Sequence, residues 1–279
     1  MTAREALAWA AGRMAQSGVE DGRRAAQLLL TEASGLDHAA LLLALDQPLE
    51  ERALAGFTQM ADRAAAGEPV QYILGRWDFY GRTFLTDRRA LIPRPETERL
   101  VEEALALIPA GRPRAVVDVG CGTGCIGITL KLERPEASVT LLDVSGEALA
   151  LAAENAATLH VEAALVQADM RSPLPGGPYD VIASNPPYIN GADMAGLSAN
   201  VREHEPHLAL YGGADGLEFV RALALRAVES LKGGGWLFVE IGYDQAEMAV
   251  AIMKAAGLDA RAIPDYAGVL RVVAARKDN

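Results

Sequence analysis

Val116-Val117-Asp118-Val119 runs directly into Gly120-Cys121-Gly122-Thr123-Gly124 and then into a helical stretch from Cys125 to Leu132. A β-branched apolar run, a glycine-rich loop and a helix, in that order, form the nucleotide-binding opening of a doubly wound α/β sheet. The glycines let the backbone approach a ligand and let the helix pack closely on the sheet. A second strand, Val139 to Leu142, ends in Asp143, whose carboxylate can accept both hydroxyls of an adenosine ribose. Ala164 to Gln167 reads as a third strand, followed by Asp169 and Met170. There an acid can accept from an adenine amino group and a thioether can lie on the ring face, although a methionine filling a core gap leaves the same pattern. Gly122 to Gly127 also satisfies the dinucleotide fingerprint, with Asp143 near the usual offset of ~20 residues. The loop alone therefore leaves dinucleotide and adenosyl cofactors both open.

A fourth strand, Tyr179 to Ser184, delivers Asn185-Pro186-Pro187-Tyr188. Neither proline offers a backbone N–H, so the strand stops and a rigid corner follows. The Asn185 amide oxygen and the Pro186 carbonyl are two acceptors, and Tyr188 is a flat apolar wall. Together they suit a planar group that carries an –NH2. An ordinary strand-terminating turn draws on the same residue types. Gly120, Asp143, Asp169 and Asn185 would share the carboxyl edge of one sheet, where open α/β folds bind their ligands.

The rest of the chain frames this unit. Residues 1–74 show helical apolar spacing punctuated by Gly18, Gly22, Gly35, Pro48 and Gly67, which predicts a bundle of about four helices. The run Ala39 to Leu45 reads as one buried helix segment. Aromatic residues around Gly75 and Gly81 predict a hairpin linker over 75–91. Residues 92–279 form the α/β domain. Within it, Thr97 or its neighbour caps a helix from Glu98 to Leu107. A helix from Leu217 to Leu231 is stopped by Lys232-Gly233-Gly234-Gly235, and a strand runs from Trp236 to Ile241. Glu203 to His207 reads as a loop folding back over the site. Its His-x-x-His spacing, broken by Glu-Pro, does not suit a metal.

Charge and cysteine usage narrow the function. Residues 91–279 carry 16 Lys and Arg against 25 Asp and Glu, an excess of negative charge in the half that holds the chemistry. Broad contact with phosphates needs a basic face, so this balance disfavours a nucleic-acid substrate and suits a basic protein partner. The only cysteines, Cys121 and Cys125, lie in the glycine loop and its helix, which fits a reducing cytoplasm. No apolar run approaches the ~20 residues that span a bilayer.

Four phrases lie in one chain: Pro93-Arg94-Pro95-Glu96-Thr97-Glu98, Asp118-Val119-Gly120-Cys121-Gly122-Thr123-Gly124, Ser184-Asn185-Pro186-Pro187-Tyr188-Ile189, and Glu205-Pro206 followed by Ala209-Leu210. The second resembles the class I methyltransferase loop more than a dehydrogenase loop. Together, and with a helical N-terminal domain, they resemble the peptide-chain release factor glutamine methyltransferases of the HemK/PrmC type across essentially the whole chain. The resemblance implies a class I methyltransferase (Rossmann-like) domain behind a small substrate-recognition bundle. It implies S-adenosyl-L-methionine as cofactor and the Gly-Gly-Gln glutamine of release factors as substrate. By likeness, Gly120, Cys121, Gly122, Thr123, Gly124, Asp143, Met170 and Asn185 contact the cofactor, and Asn185, Pro186, Pro187 and Tyr188 hold the substrate amide. Asn185, Pro186 and Tyr188 are the candidate catalytic residues. Asn-Pro-Pro-Tyr is shared with enzymes that methylate exocyclic amino groups of nucleic-acid bases. A base, or a glutamine of a ribosomal protein, is the alternative target.

Overall fold

The computed structural model describes residues 1–19, 21–112 and 114–279. The chain divides into two compact units. One is Met1–Arg76 with Ser198–His204, and the other is Trp77–Leu197 with Glu205–Asn279.

The first unit is helical: α1 (Ala3–Gln16), α2 (Gly22–Ser34), α3 (His38–Leu43), α4 (Glu51–Ala65) and the single turn α5 (Val70–Leu74). Local chemistry sets the starts. Thr2 and Glu5 form a reciprocal capping box on α1, and Asp21 and Asp37 cap α2 and α3 through their side chains. Met14, Leu29, Leu30 and Phe57 are fully enclosed in its core. The apolar run 39–45 departs from expectation. Only Leu41 is buried, and Leu43 is 89% exposed. The helix there ends at Leu43 and is too short to turn a seven-residue apolar run inward, because a helix buries one face.

A hairpin follows, β1 (Arg76–Phe79) and β2 (Arg82–Leu85), and from Trp77 onward it belongs to the second unit. Then come α6 (Thr97–Leu107), β3 (Ala115–Val119), α7 (Cys125–Glu133), β4 (Ser138–Asp143), α8 (Gly146–Thr158), β5 (Ala164–Gln167) and β6 (Tyr179–Ser184). After the short α9 (Ala199–His204), which belongs to the first unit, follow α10 (Glu218–Ser230), β7 (Leu231–Glu240), α11 (Ala246–Ala255), β8 (Leu258–Pro264) and β9 (Leu270–Lys277). The sheet order is β5-β4-β3-β6-β7-β9-β8. The first five strands of that order run parallel, and β9 runs antiparallel to both its neighbours.

Strand periodicity sends alternate side chains to two cores. Val116, Val181 and Phe238 face α6, α7 and α8, where the hairpin contributes Phe79 and Phe84. Val117, Ile182 and Leu237 face α10 and α11. The chain winds outward from β3 to β5 and then restarts at β6 on the other side of β3. The reversal leaves a crevice at the carboxyl ends of β3 and β6.

Two expectations need correction. Lys232-Gly233-Gly234-Gly235 does not separate helix from strand. α10 passes straight into β7, and Tyr179 pairs with Leu231 while Val181 pairs with Trp236. The excess residues loop out as a bulge, which a run without side chains accommodates readily. Neither Thr97 nor Glu96 caps α6 through its side chain. Glu96 is the N-cap without a side-chain bond, and the Thr97 hydroxyl is used elsewhere. Among the described residues no helix is long and apolar enough to cross a membrane.

Candidate active site

The glycine loop is tied to the sheet through its own backbone. Gly120 and Cys121 both donate their N–H to the carbonyl of Leu142 at 2.7 and 3.0 Å, which holds the end of β3 against that of β4. Beneath it, Asp118 is wholly buried and accepts the Gly127 N–H through Oδ2 at 2.8 Å, locking the first turn of α7 to the strand. Burial pushes its carboxyl up to about 7. Burial also raises both loop thiols, Cys125 to about 12, so neither is a thiolate nucleophile at neutral pH.

Asp143 stands at the end of β4. Its Oδ2 accepts from the Gly122 N–H and its Oδ1 from the Ser145 N–H, each at 2.9 Å. One donor per oxygen orients the carboxylate and leaves lone pairs on both for hydroxyl donors. Burial moves it above the usual carboxylate range, and the backbone bonds pull it back. Met170 lies over the loop. A Cβ added at Gly120 would stand 2.9 Å from Met170 Cε, a flexible end that can shift, but Gly120 has φ +71°, a conformation that favours glycine. Asp169, expected to meet an adenine amino group, has its carboxylate engaged by Arg171 in a forked pair with a shortest distance of 2.6 Å.

Asn185 follows β6 directly. The preceding Ser184 donates its buried hydroxyl to the Val119 carbonyl at 2.6 Å, which sets the end of β6 beside the glycine loop. The amide Nδ2 of Asn185 donates to Thr97 Oγ1 at 3.1 Å, and Thr97 Oγ1 donates to Glu240 Oε2 at 2.6 Å. In the sequence alone Thr97 is only a helix cap and Glu240 carries no role. The available signals were the unusual Pro-Arg-Pro-Glu-Thr-Glu run and an acid closing the apolar strand β7. The same run is held by Glu205, whose buried carboxylate accepts from the Ile92 N–H and pairs with Arg94.

The glycine loop, Asp143, Met170, Thr97 and Asn185 border one cleft of about 1100 Å³, counting its open mouth. Of the residues expected at the site, Gly120, Cys121, Gly122, Thr123, Asp143, Asp169, Met170, Asn185 and Pro187 line it. Gly124, Pro186 and Tyr188 are not on its wall. Gly124 is the N-cap of α7, and Tyr188 is braced from behind by Gln245, whose Nε2 donates to the Tyr188 carbonyl at 2.9 Å. Burial, and next the charge of Glu240, keeps the Tyr188 phenol protonated. Pro93, Thr97, Pro206 and Leu208 also line it. Apolar walls, an oriented carboxylate, a bare loop and one polar amide fit an adenosyl cofactor beside a small planar polar group. Among the described residues no group of three His, Cys, Asp or Glu is placed to share a metal ion.

Comparison with known proteins agrees with this architecture. Residues 98–209 match the methyltransferase small domain, and residues 5–75 match the PrmC N-terminal domain. The chain is 41% identical to the release factor glutamine methyltransferase of Geobacter sulfurreducens, over 99% of this chain and 96% of that protein. It is 44% identical to the release factor glutamine methyltransferase of Cereibacter sphaeroides, over 99% of each chain. The crystal structure of a methyltransferase from Pyrococcus furiosus, 16% identical, covers 80% of this chain and 100% of its own with a TM-score of 0.54. That likeness concerns the fold alone, and the second unit has the class I methyltransferase fold. Near-full-length identity of this order carries further: the chain belongs to the release factor glutamine methyltransferase family.

Proposed function

We propose that this chain transfers a methyl group from S-adenosyl-L-methionine to the side-chain amide nitrogen of the Gly-Gly-Gln glutamine in peptide-chain release factors, giving N5-methylglutamine, S-adenosylhomocysteine and a proton released from the nitrogen. The observation that carries the reading, within this family, is that Asp143 with the glycine loop and Asn185 border one cleft. When bound, S-adenosylmethionine supplies a methyl activated on a sulfonium. Asp143 would hold the ribose hydroxyls, Met170 the adenine face, and Gly120, Cys121, Gly122, Thr123 and Gly124 the methionine portion. The N-terminal helical unit would recognise the protein substrate. The reaction belongs to the cytoplasm, where two free, buried cysteines stay reduced.

An amide nitrogen is a poor nucleophile because its lone pair is delocalised into the carbonyl. Asn185 Oδ1 and the Pro186 carbonyl would each accept one amide N–H, fixing the nitrogen's position and favouring the positive charge that grows on it. The nearly neutral starting amide gains less from the same two oxygens, so the effect falls on the transition state. Pro187 stiffens the corner and lines the cleft, and Tyr188, off its wall and held protonated, is not a base. No general base is needed before transfer.

Incubating the chain with release factor and methyl-labelled S-adenosylmethionine is expected to place one methyl on the Gly-Gly-Gln glutamine, read by peptide mass spectrometry. Label appearing instead on a ribosomal protein or a nucleic-acid base, with release factor untouched, rejects the reading. Asp143→Ala is expected to weaken S-adenosylmethionine binding at least about 10-fold by calorimetry, the loss of roughly one charge-assisted hydrogen bond. Unchanged affinity would remove Asp143 from the cofactor site.

A further inference from the structure

Asn185 serves as an acceptor only when its amide is turned the right way, since one face of the group accepts and the other donates. The amide is tied from behind. Its Nδ2 donates to Thr97 Oγ1, whose own proton goes to Glu240 Oε2. Thr97 and Glu240 are each 2% exposed, so water does not compete for these bonds. We propose that Thr97 and Glu240 are positioning residues that fix the Asn185 amide with its oxygen toward the cleft, an inference that rests on Asn185 accepting the substrate amide. A hydroxyl has one proton. With that proton committed to a carboxylate, Thr97 shows Asn185 only lone pairs. The –NH2 of Asn185 must then face Thr97, and Oδ1 must face away from it. Without the carboxylate, the Thr97 proton is free to swing onto Asn185 Oδ1. The turned amide would meet the substrate –NH2 with an –NH2 of its own.

The carboxylate comes from the right place for this task. Glu240 ends β7, and its neighbour Val239 pairs with Ser184, the residue before Asn185. The two strand ends therefore carry donor and orienter at one level, and the start of α6 bridges them through Thr97. Burial pushes Glu240 up to about 7, against the pull of the Thr97 hydroxyl. Glu96 adds to the rise, and Arg271 and Arg94 oppose it. Tyr188 and Cys125 also lie in its field, both kept neutral chiefly by burial. A protonated Glu240 can donate to Thr97 Oγ1 and release the hydroxyl proton toward Asn185. The acceptor orientation is therefore complete above the Glu240 pKa and is lost as pH falls through it.

The test is kcat and KM for release factor methylation, from mildly acidic to mildly alkaline pH, in wild type, Glu240→Gln, Thr97→Val and Thr97→Ser. Wild-type kcat is expected to fall on the acid side of about pH 7. Glu240→Gln and Thr97→Val are each expected to lower kcat about 10-fold, part of the loss of a full acceptor, with KM for S-adenosylmethionine little changed. Glu240→Gln should also lose the acid limb, and Thr97→Ser should restore most of what Thr97→Val loses. Should Glu240→Gln fail to fold, the Thr97→Val and Thr97→Ser pair makes the same comparison. Wild-type kcat and pH profile in both Glu240→Gln and Thr97→Val overturn the proposal, as does equal loss in Thr97→Ser and Thr97→Val. If Asn185→Ala is inactive in that same series, the reading of Asn185 survives. A wild-type chain that leaves the glutamine unmethylated overturns both.

Discussion

Asn185→Ala is expected to lower methylation of the release factor glutamine by about 10²–10³, the usual cost of deleting one preorganised group at a developing charge. S-adenosylmethionine affinity should stay within a modest factor, because the loop bonds to Leu142 and the two backbone bonds to Asp143 do not involve residue 185. The fold should also hold. Asn185 is only partly buried, Ser184 keeps its bond to Val119, and the diproline corner is untouched. The loss therefore belongs to kcat, where an interaction made mainly in the transition state shows itself. Calorimetry of cofactor binding beside single-turnover methylation separates the two effects. Turnover at the wild-type rate with intact binding would mean that the substrate amide is held by something other than Asn185.

What the sequence made legible here was local. Strand, glycine loop and helix are contiguous from Val116 to Leu132, and their periods and breakers are strong enough to survive without tertiary help. Tyr179–Ser184 and Ala164–Gln167 were readable for the same reason, as was Asp143 at the end of its strand. The residues alone reached only a planar group bearing –NH2. The protein glutamine came from the likeness of four phrases to one family. The Thr97–Glu240 bond was hidden because its partners lie 143 positions apart and meet only when β7 is laid beside β6. Thr97, after a proline-rich segment, looks like any helix cap until its hydroxyl is seen to be occupied. The glycine run 233–235 misled for the opposite reason. Three glycines are a strong local stop, but pairing of β6 with β7 on both sides of them overrode it. Leu42 and Leu43 show the same limit on the helical side, since an apolar run does not say which part of it a neighbour will cover.

The corner that carries Asn185 is backed by a second stretch of chain, and that contact yields the other large expected effect. Ile189 donates its N–H to the Leu210 carbonyl at 3.0 Å, and Gly212 donates to the Ile189 carbonyl at 2.8 Å, so residues 210–212 run alongside the end of Asn-Pro-Pro-Tyr. The approach is closer than a side chain allows. A Cβ on Gly212 would stand 2.7 Å from the Pro187 carbonyl oxygen, 2.7 Å from Tyr188 Cα and 2.9 Å from the Tyr188 carbonyl carbon. All three are backbone atoms in a segment stiffened by two prolines, so no rotamer change relieves the overlap. The Tyr188 carbonyl is also held by Gln245, whose Nε2 donates to it at 2.9 Å. Gly212→Ala is accordingly expected to destabilise the protein by about 1–3 kcal/mol, the range for forcing an extra carbon into a packed site. If the strain is relieved by shifting residues 187 and 188, the Pro186 carbonyl and Asn185 move with them. A displacement near 1 Å at a positioning group costs about 10² in rate. Cofactor affinity should change little, because the bonds that hold the loop and Asp143 do not involve residues 187, 188 or 212. Thermal unfolding, cofactor calorimetry and methylation of release factor on one preparation of Gly212→Ala distinguish the possibilities. A variant that melts lower, binds cofactor normally and methylates poorly is the expected result. One that methylates at the wild-type rate would show that the corner tolerates displacement, and that the alignment of the two acceptors is not what limits the reaction.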